Sequence, residues 1–248
     1  MIRFANVTKI FGAGPTQVYA LRDLSLDIPA RQFCTIMGPS GSGKSTVLHL
    51  VAALTKPTAG EIFLADRPLS RMTERDAALM RRRELGFIFQ FFHLIHYLDA
   101  EENVALPLLL DGHSFSAARE RTERVLTLVD LIHRRHHKPT ELSGGEMQRM
   151  AIARALITSP RVILADEPTG NLDSTATHAI MRLLRRGSEE LGVTVLMVTH
   201  DPVCASYGDR VVRLIDGRIV EDIDVSERPT LDDDDEAAED VVKVPRMR

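Results

Sequence analysis

A chain of 248 residues, 44% hydrophobic and 27% charged, is large for one compact core and short for two, which predicts one domain carrying an inserted or appended lobe. No apolar run reaches the roughly 20 residues of a spanning helix, and the opening MIRFANVTKI lacks the basic-then-apolar order of a signal peptide, so the chain is expected not to cross a membrane and to stay in the cytoplasm. The formal charge of −4 lies in residues 232–248, where seven acids face three bases. The neutral remainder has no basic footprint for general nucleic-acid binding, and no nucleic-acid partner is expected.

Alternating apolar residues predict strands over residues 2–7 and 21–28, and a short apolar run predicts a third over 33–37. A glycine-rich loop follows, then a stretch at 47–54 that is apolar on nearly every side and reads as a buried helix stopped ahead of Pro57. From about Thr73 to Pro160 helical patterns dominate, with 87–90 as the clearest extended piece, so a helical lobe is expected there. A strand at 162–165, a helix at 174–191 and a strand at 193–199 come next, the strands apolar on both faces as in a parallel sheet covered by helices. Asp216-Gly217 between 211–215 and 218–220 is a two-residue hairpin signal. The acidic tail, 226–248, is expected to be disordered. Cys34 and Cys204, far apart and beside apolar stretches, read as reduced, buried thiols. Arg81-Arg82-Arg83 and the group Arg134, Arg135, His136, His137 and Lys138 read as solvated faces.

Three segments carry chemistry. Gly38-Pro39-Ser40-Gly41-Ser42-Gly43-Lys44-Ser45, followed by Thr46, fits G-x-x-x-x-G-K-[ST] between a strand and a helix. Its glycines let successive backbone N–H groups approach phosphate oxygens, the helix terminus adds positive potential, Lys44 is placed for the β- and γ-phosphates and Ser45 for Mg²⁺. Alone, this loop says only P-loop NTPase. The apolar strand at 162–165 ends in Asp166 and Glu167, a pair costly to bury without a cation or proton; Asp166 is the candidate Mg²⁺ partner and Glu167 the candidate base that polarises water. Asp173, at a helix start, is compatible with ordinary capping. Finally, Leu142-Ser143-Gly144-Gly145-Glu146 opens a helix expected over 146–157 and again offers N–H groups to an anion.

With Phe11, Gln90 after an apolar strand, Asn171-Leu172-Asp173 and His200 after a strand, these segments resemble the ABC ATPases over residues 2–222 in order, spacing and context. The resemblance implies an α/β P-loop fold with an N-terminal antiparallel β subdomain, a mostly parallel core sheet and an inserted helical subdomain. It implies one ATPase domain over 1–225: a core plus β subdomain at about 1–88 and 160–225, and a helical subdomain at about 89–159. ATP and Mg²⁺ are the implied ligands. Phe11 would stack on adenine, Gln90 would reach Mg²⁺ and the attacking water, and His200 would touch the γ-phosphate and help hold Glu167. Ser143, Gly144 and Gly145, with Asp173, would close the site of a second copy in an ATP-dependent homodimer. Integral membrane permease subunits are the implied further partners, which would place the chain on the cytoplasmic face of the cell membrane.

Within the family, IMGPSGSGKST, FIFQFFHLI, AEENVALPL, LSGGEMQRMAIARAL and LADEPTGNLD are similar to the lipoprotein-release and macrolide-export group, LolD/MacB. That group implies force transmission for export or extraction. Departures from the commonest pattern are Glu146 for glutamine, Arg31-Gln32 at a turn where Gly-Glu is frequent, and Phe91 and His93 after Gln90. DNA-repair and ribosome-associated relatives fit poorly, since there is no long coiled coil, no zinc-spaced cysteine set and no second cassette. A cell-division ATPase acting through a membrane partner stays open.

Overall fold

The computed structural model describes residues 1–225, so the acidic tail and the expectation attached to it lie outside the described residues. Strands β1 (Ile2–Phe11), β2 (Val18–Ile28), β3 (Phe33–Met37), β4 (Ala59–Leu64), β5 (Arg67–Pro68), β6 (Leu85–Phe89), β7 (Val162–Asp166), β8 (Thr194–Thr199), β9 (Arg210–Ile215) and β10 (Arg218–Asp224) form two sheets. The first is antiparallel, in the order β2-β1-β4-β5; the second runs β10-β9-β3-β8-β7-β6, parallel except for β10 at its edge. Helices α1 (Lys44–Val51), α2 (Glu74–Glu84), α3 (Ala100–Leu110), α4 (Phe115–Leu128), α5 (Gly144–Leu156), α6 (Ser174–Leu191) and α7 (Pro202–Ser206) complete the chain. The expected fold class is what the chain adopts.

Alternation along the parallel strands explains the layering. Cys34, Ile36, Val162, Leu164, Leu196 and Val198 point to one face, into a cluster shared with α1 and the antiparallel sheet. Phe33, Ile163, Ala165, Val195 and Met197 point to the other, into a cluster shared with α3, α4, α5 and α6. Each fully buried aliphatic side chain contributes about 1.5–3 kcal/mol relative to exposure. A sheet buried on both faces is therefore a stiff plate, with α1 on one side and α5 on the other. The two cysteines are free and buried on opposite faces, and burial pushes both thiols up to about 12, so neither is reactive at neutral pH.

Local chemistry sets the element ends. Asp173 accepts from Ala176 N–H to start α6, and Gly192 at φ 66 ends it. Asp216 (φ 48) and Gly217 (φ 76) make the β9–β10 turn, as the hairpin signal required.

Some expectations fail. The helix after the glycine loop stops at Val51, because the chain turns through Ala53 at φ 51 before Pro57 can act, which leaves Leu54 outside it and exposed. Strand β4 was not anticipated. Arg81, Arg82 and Arg83 are not merely a solvated face, although Arg83 is exposed: Arg81 donates to Ala53 O at 3.1 Å, Arg82 to Leu110 O at 2.7 Å, and Arg83 to the Asp111 carboxylate at 2.9 Å. Arg81 and Arg82 thereby cap the carbonyl ends of α1 and α3, where the helix dipole favours cations, and Arg83 pairs with the carboxylate that follows α3. The 134–138 group is likewise engaged, with Arg135 3.3 Å from Glu123 and Arg134 3.6 Å from Glu146.

Candidate functional site

Between β3 and α1 the chain wraps a cradle that only glycine permits. A Cβ on Gly43, at φ 105, would lie 2.3 Å from Ala20 O, and one on Gly38 would lie 2.1 Å from Leu214 O. Gly43 is also the N-cap of α1 and supplies no side-chain cap, so the first N–H groups of that helix keep no local acceptor. The hairpin turn backs the loop: Gly217 N–H donates to Ser42 O at 3.0 Å, and Gly217 O accepts from Arg22 N–H at 2.8 Å. Lys44 folds across the loop, donating to Gly38 O at 2.7 Å and Pro39 O at 3.0 Å.

Facing the cradle, β7 delivers Asp166 and Glu167. Ser45 Oγ donates to Asp166 Oδ1 at 3.3 Å, and burial raises the Asp166 carboxyl above its ordinary range. A half-buried carboxylate beside a hydroxyl gains from a cation, so the pair fits a small hard metal ion such as Mg²⁺, which takes one or two protein oxygens and completes its shell with phosphate and water. Glu167 sits at φ 46, a left-handed conformation for a non-glycine residue, with its N–H bonded to Val198 O at 3.0 Å. Both of its oxygens are held, one by Thr199 Oγ1 at 3.1 Å and the other by His200 Nδ1 at 2.9 Å. The bond to a carboxylate fixes the proton on Nδ1 and turns Nε2 away from Glu167.

Cradle, acids, Gln90 and His200 line one cleft of ≈ 890 Å³, with Phe11 at its rim, 44% exposed, beneath Lys9 Nζ at 4.8 Å from the ring centroid. From its buried side, Gln148 of α5 ties the acidic and glutamine arms together, donating to Pro168 O at 2.5 Å and Phe89 O at 3.4 Å.

The signature segment, residues 142–146, lies elsewhere. Ser143 and Glu146 form a reciprocal capping box at α5: Ser143 N–H and Oγ donate to Glu146 Oε2 at 2.9 and 2.8 Å, and Glu146 N–H returns to Ser143 Oγ at 3.3 Å. Those two donors hold the Glu146 carboxyl below its ordinary range. Gly144 and Gly145 pack toward Leu172 and Ala176 beside Asp173. None of Ser143, Gly144, Gly145 and Asp173 lines the cleft. The structure thus brings the sequence-derived residues into two separate groups.

Sequence reasoning missed Thr199, Gln148 and the second role of Gly217. Thr199 stands beside His200 at a strand end, where a hydroxyl could have been noticed; the other two act through contacts 59 and 175 positions away, from Gln148 to Phe89 and from Gly217 to Ser42, which no local pattern announces.

Comparison with known proteins places this geometry. Residues 21–170 match the model of the ABC transporter family. The chain is 48% identical over 221 residues to an uncharacterised ABC transporter ATP-binding protein of Methanocaldococcus jannaschii, covering 89% of this chain and 98% of that one. It is 44% identical over 222 residues to the lipoprotein-releasing system ATP-binding protein LolD of Chromohalobacter salexigens, covering 90% and 94%. Against the macrolide export ATP-binding/permease protein MacB of Wolinella succinogenes it is 43% identical over 88% of this chain, which spans 34% of that longer protein. Among solved structures, the dimeric post-hydrolysis state of the cassette MJ0796 bound to ADP and Pi superposes with a TM-score of 0.83 at 42% identity, covering 92% of this chain and all of that one. The chain therefore belongs to the ABC transporter family, as one of its ATP-hydrolysing cassettes.

Proposed function

We propose that this chain hydrolyses ATP only as a face-to-face pair of identical copies, and that the closing and opening of the pair moves separate integral membrane permease subunits from the cytoplasmic face of the membrane. The observation that carries this reading is the split of the site: one cleft holds the cradle, both acids, Gln90 and His200, while Ser143, Gly144, Gly145 and Asp173 face elsewhere. The dimeric cassettes similar to this chain, and relatives named for lipoprotein release and macrolide export, support the same assembly and a role in export or extraction. Residues 1–225 act as one ATPase unit in this reading, with the insert at about 89–159 as its lever.

The residues divide the work. Phe11 presents a ring face to the base, a contact tolerant of any π-system. The Gly38–Thr46 backbone and Lys44 hold the phosphates, Lys44 exchanging its two carbonyl acceptors for charged oxygens. Ser45, Asp166 and Gln90 would hold Mg²⁺, which neutralises phosphate charge as it develops. Glu167, braced on both oxygens, accepts a proton from the attacking water; His200, its Nδ1 committed to Glu167, presents Nε2 toward the terminal phosphate. The partner copy's signature glycines supply the remaining N–H donors and exclude water.

Beside the helical insert, an apolar groove of ≈ 540 Å³ lined by Leu54, Phe87, Phe89, Leu106, Pro107 and Leu110 is the surface for the permease subunits. Exposed Phe91 and the following turn, pinned by Arg154 to Phe92 O at 2.7 Å and His93 O at 2.6 Å, link that groove to Gln90.

The test is Glu167→Gln, which keeps the shape and removes the base. With saturating Mg-ATP the variant is expected to form a stable ATP-bound dimer by light scattering while turnover drops by roughly 10²–10⁴-fold. A variant as fully monomeric as the parent would sink the proposal. Isolation of the parent from detergent-solubilised membranes should bring permease subunits with it; recovery of DNA or ribosomes instead would overturn the transporter assignment.

A further inference from the structure

Gln90 and Asn171 close the parallel strand pair β6 and β7 at the same end, where Phe89 is opposite Asp166. The two residues are joined by two hydrogen bonds: Asn171 Nδ2 donates to the main-chain O of Gln90 at 2.9 Å, and Gln90 Nε2 donates to Asn171 Oδ1 at 3.3 Å. The polarity of both amides follows from elimination. A main-chain carbonyl can only accept, so Asn171 must present its NH₂ there. That leaves Oδ1, which also can only accept, so Gln90 must present its own NH₂ to it. The end of the Gln90 amide left for the cleft is Oε1, and Gln90 lines that cleft whereas Asn171 does not.

Sterics fix where the amide lies, while the hydrogen bonds set its polarity. A Cβ on Gly170 would stand 2.8 Å from Gln90 Nε2 and 3.1 Å from Cδ, so the glycine before Asn171 leaves the room the Gln90 amide needs to reach its partner. The backbone of Gly170 is not in the left-handed region, so an alanine there strains nothing except the Gln90 side chain.

We propose that Asn171 is the positioning residue for Gln90, fixing the amide with its oxygen toward the cleft so that it meets a cation or the attacking water as an acceptor. The inference rests on the role given to Gln90 above. A flipped amide would offer two N–H groups to a cation and repel it; an untethered one would lose orientation and enter the site only part of the time. Asn171 does not touch the substrate in this reading, and acts through Gln90.

The experiment uses the full-length chain with Asn171→Ala and Gly170→Ala, the first removing the tether and the second pushing the amide off it. The side-chain amide resonance of Gln90, recorded by NMR on the nucleotide-free protein, is expected to move toward a solvent-averaged position in both variants. The Mg²⁺ concentration for half-maximal hydrolysis at saturating ATP is expected to rise about fivefold, with ATP affinity in the absence of metal unchanged. In a Gln90→Ala background, Asn171→Ala should add less than about 1.5-fold, because the two act as one unit. An unmoved Gln90 resonance in Asn171→Ala, or effects that multiply in the double variant, would overturn the proposal. If Gln90→Ala alone leaves the Mg²⁺ requirement unchanged, the role of Gln90 fails, and the resonance still decides whether Asn171 orients it.

Discussion

The chain carries two glycine segments at helix N-termini, and they are finished differently. At α1 the cap is Gly43, with no side chain to satisfy the first N–H groups, and Lys44 rests on two main-chain carbonyls. At α5 the cap is Ser143, locked to Glu146 in a reciprocal box that already uses two donors. The first is an open anion receiver; the second is self-satisfied and presents only what its glycines leave over. In the proposed assembly the open receiver would hold nucleotide alone, and the capped one would contribute when a second copy brings a phosphate to it.

The largest effect should come from breaking the open receiver. Lys44→Ala is expected to weaken ATP binding by roughly 10²-fold or more and to abolish turnover, measured by calorimetry and phosphate release. Ser143→Arg should separate the two segments: turnover falls by roughly 10²–10³-fold while ATP affinity of the monomer stays at the parent value. Equal losses of affinity in both variants would erase the distinction between the segments.

The carboxylates sharpen the contrast more finely. Asp166 is raised by burial, so the folded chain keeps a proton over a pH window in which the unfolded chain has released it. Stability therefore falls as pH rises from the ordinary carboxylate range through the raised value, and is flat beyond. Asp166→Asn should remove that fall and raise the melting temperature of nucleotide-free protein at neutral pH by about 2–4 °C, at the cost of activity. Glu146 is shifted the other way by its bonds from Ser143, so its contribution is complete above the ordinary carboxylate range and is lost as pH falls through the lowered value. Glu146→Gln keeps the acceptor and should abolish that acid-side loss while costing less than about 1 kcal/mol, since solvent screens the group. Urea titrations from pH 3 to 8 should show the two variants changing pH dependence in opposite directions.

Both receivers were readable from sequence because each is a contiguous run whose glycines, hydroxyls and charge sit on one turn. The acidic pair was readable because an apolar strand cannot end in Asp166 and Glu167 without a reason. What stayed hidden depends on distant neighbours. Strand β4 buries only Ile62 and Leu64 in a short stretch, and Gly60 exists because Asn6 O lies 2.3 Å from where its Cβ would be. Gln148 reads as one more polar residue on a helix, and its burial against Pro168 and Phe89 appears only once the sheet is assembled. The arginines at 81–83 read as a charged face because their acceptors, Ala53, Leu110 and Asp111, lie across the fold.

The plate between the two cores has a kinetic consequence. With α1 seated on one face and α5 on the other, any bend large enough to join them within a single molecule would have to tear strands buried on both sides. Self-closure is denied by architecture, so throughput in dilute solution should scale with the square of protein concentration. Anything that tethers two molecules side by side would then act as a throttle by raising the local concentration, without adding a single contact at the nucleotide.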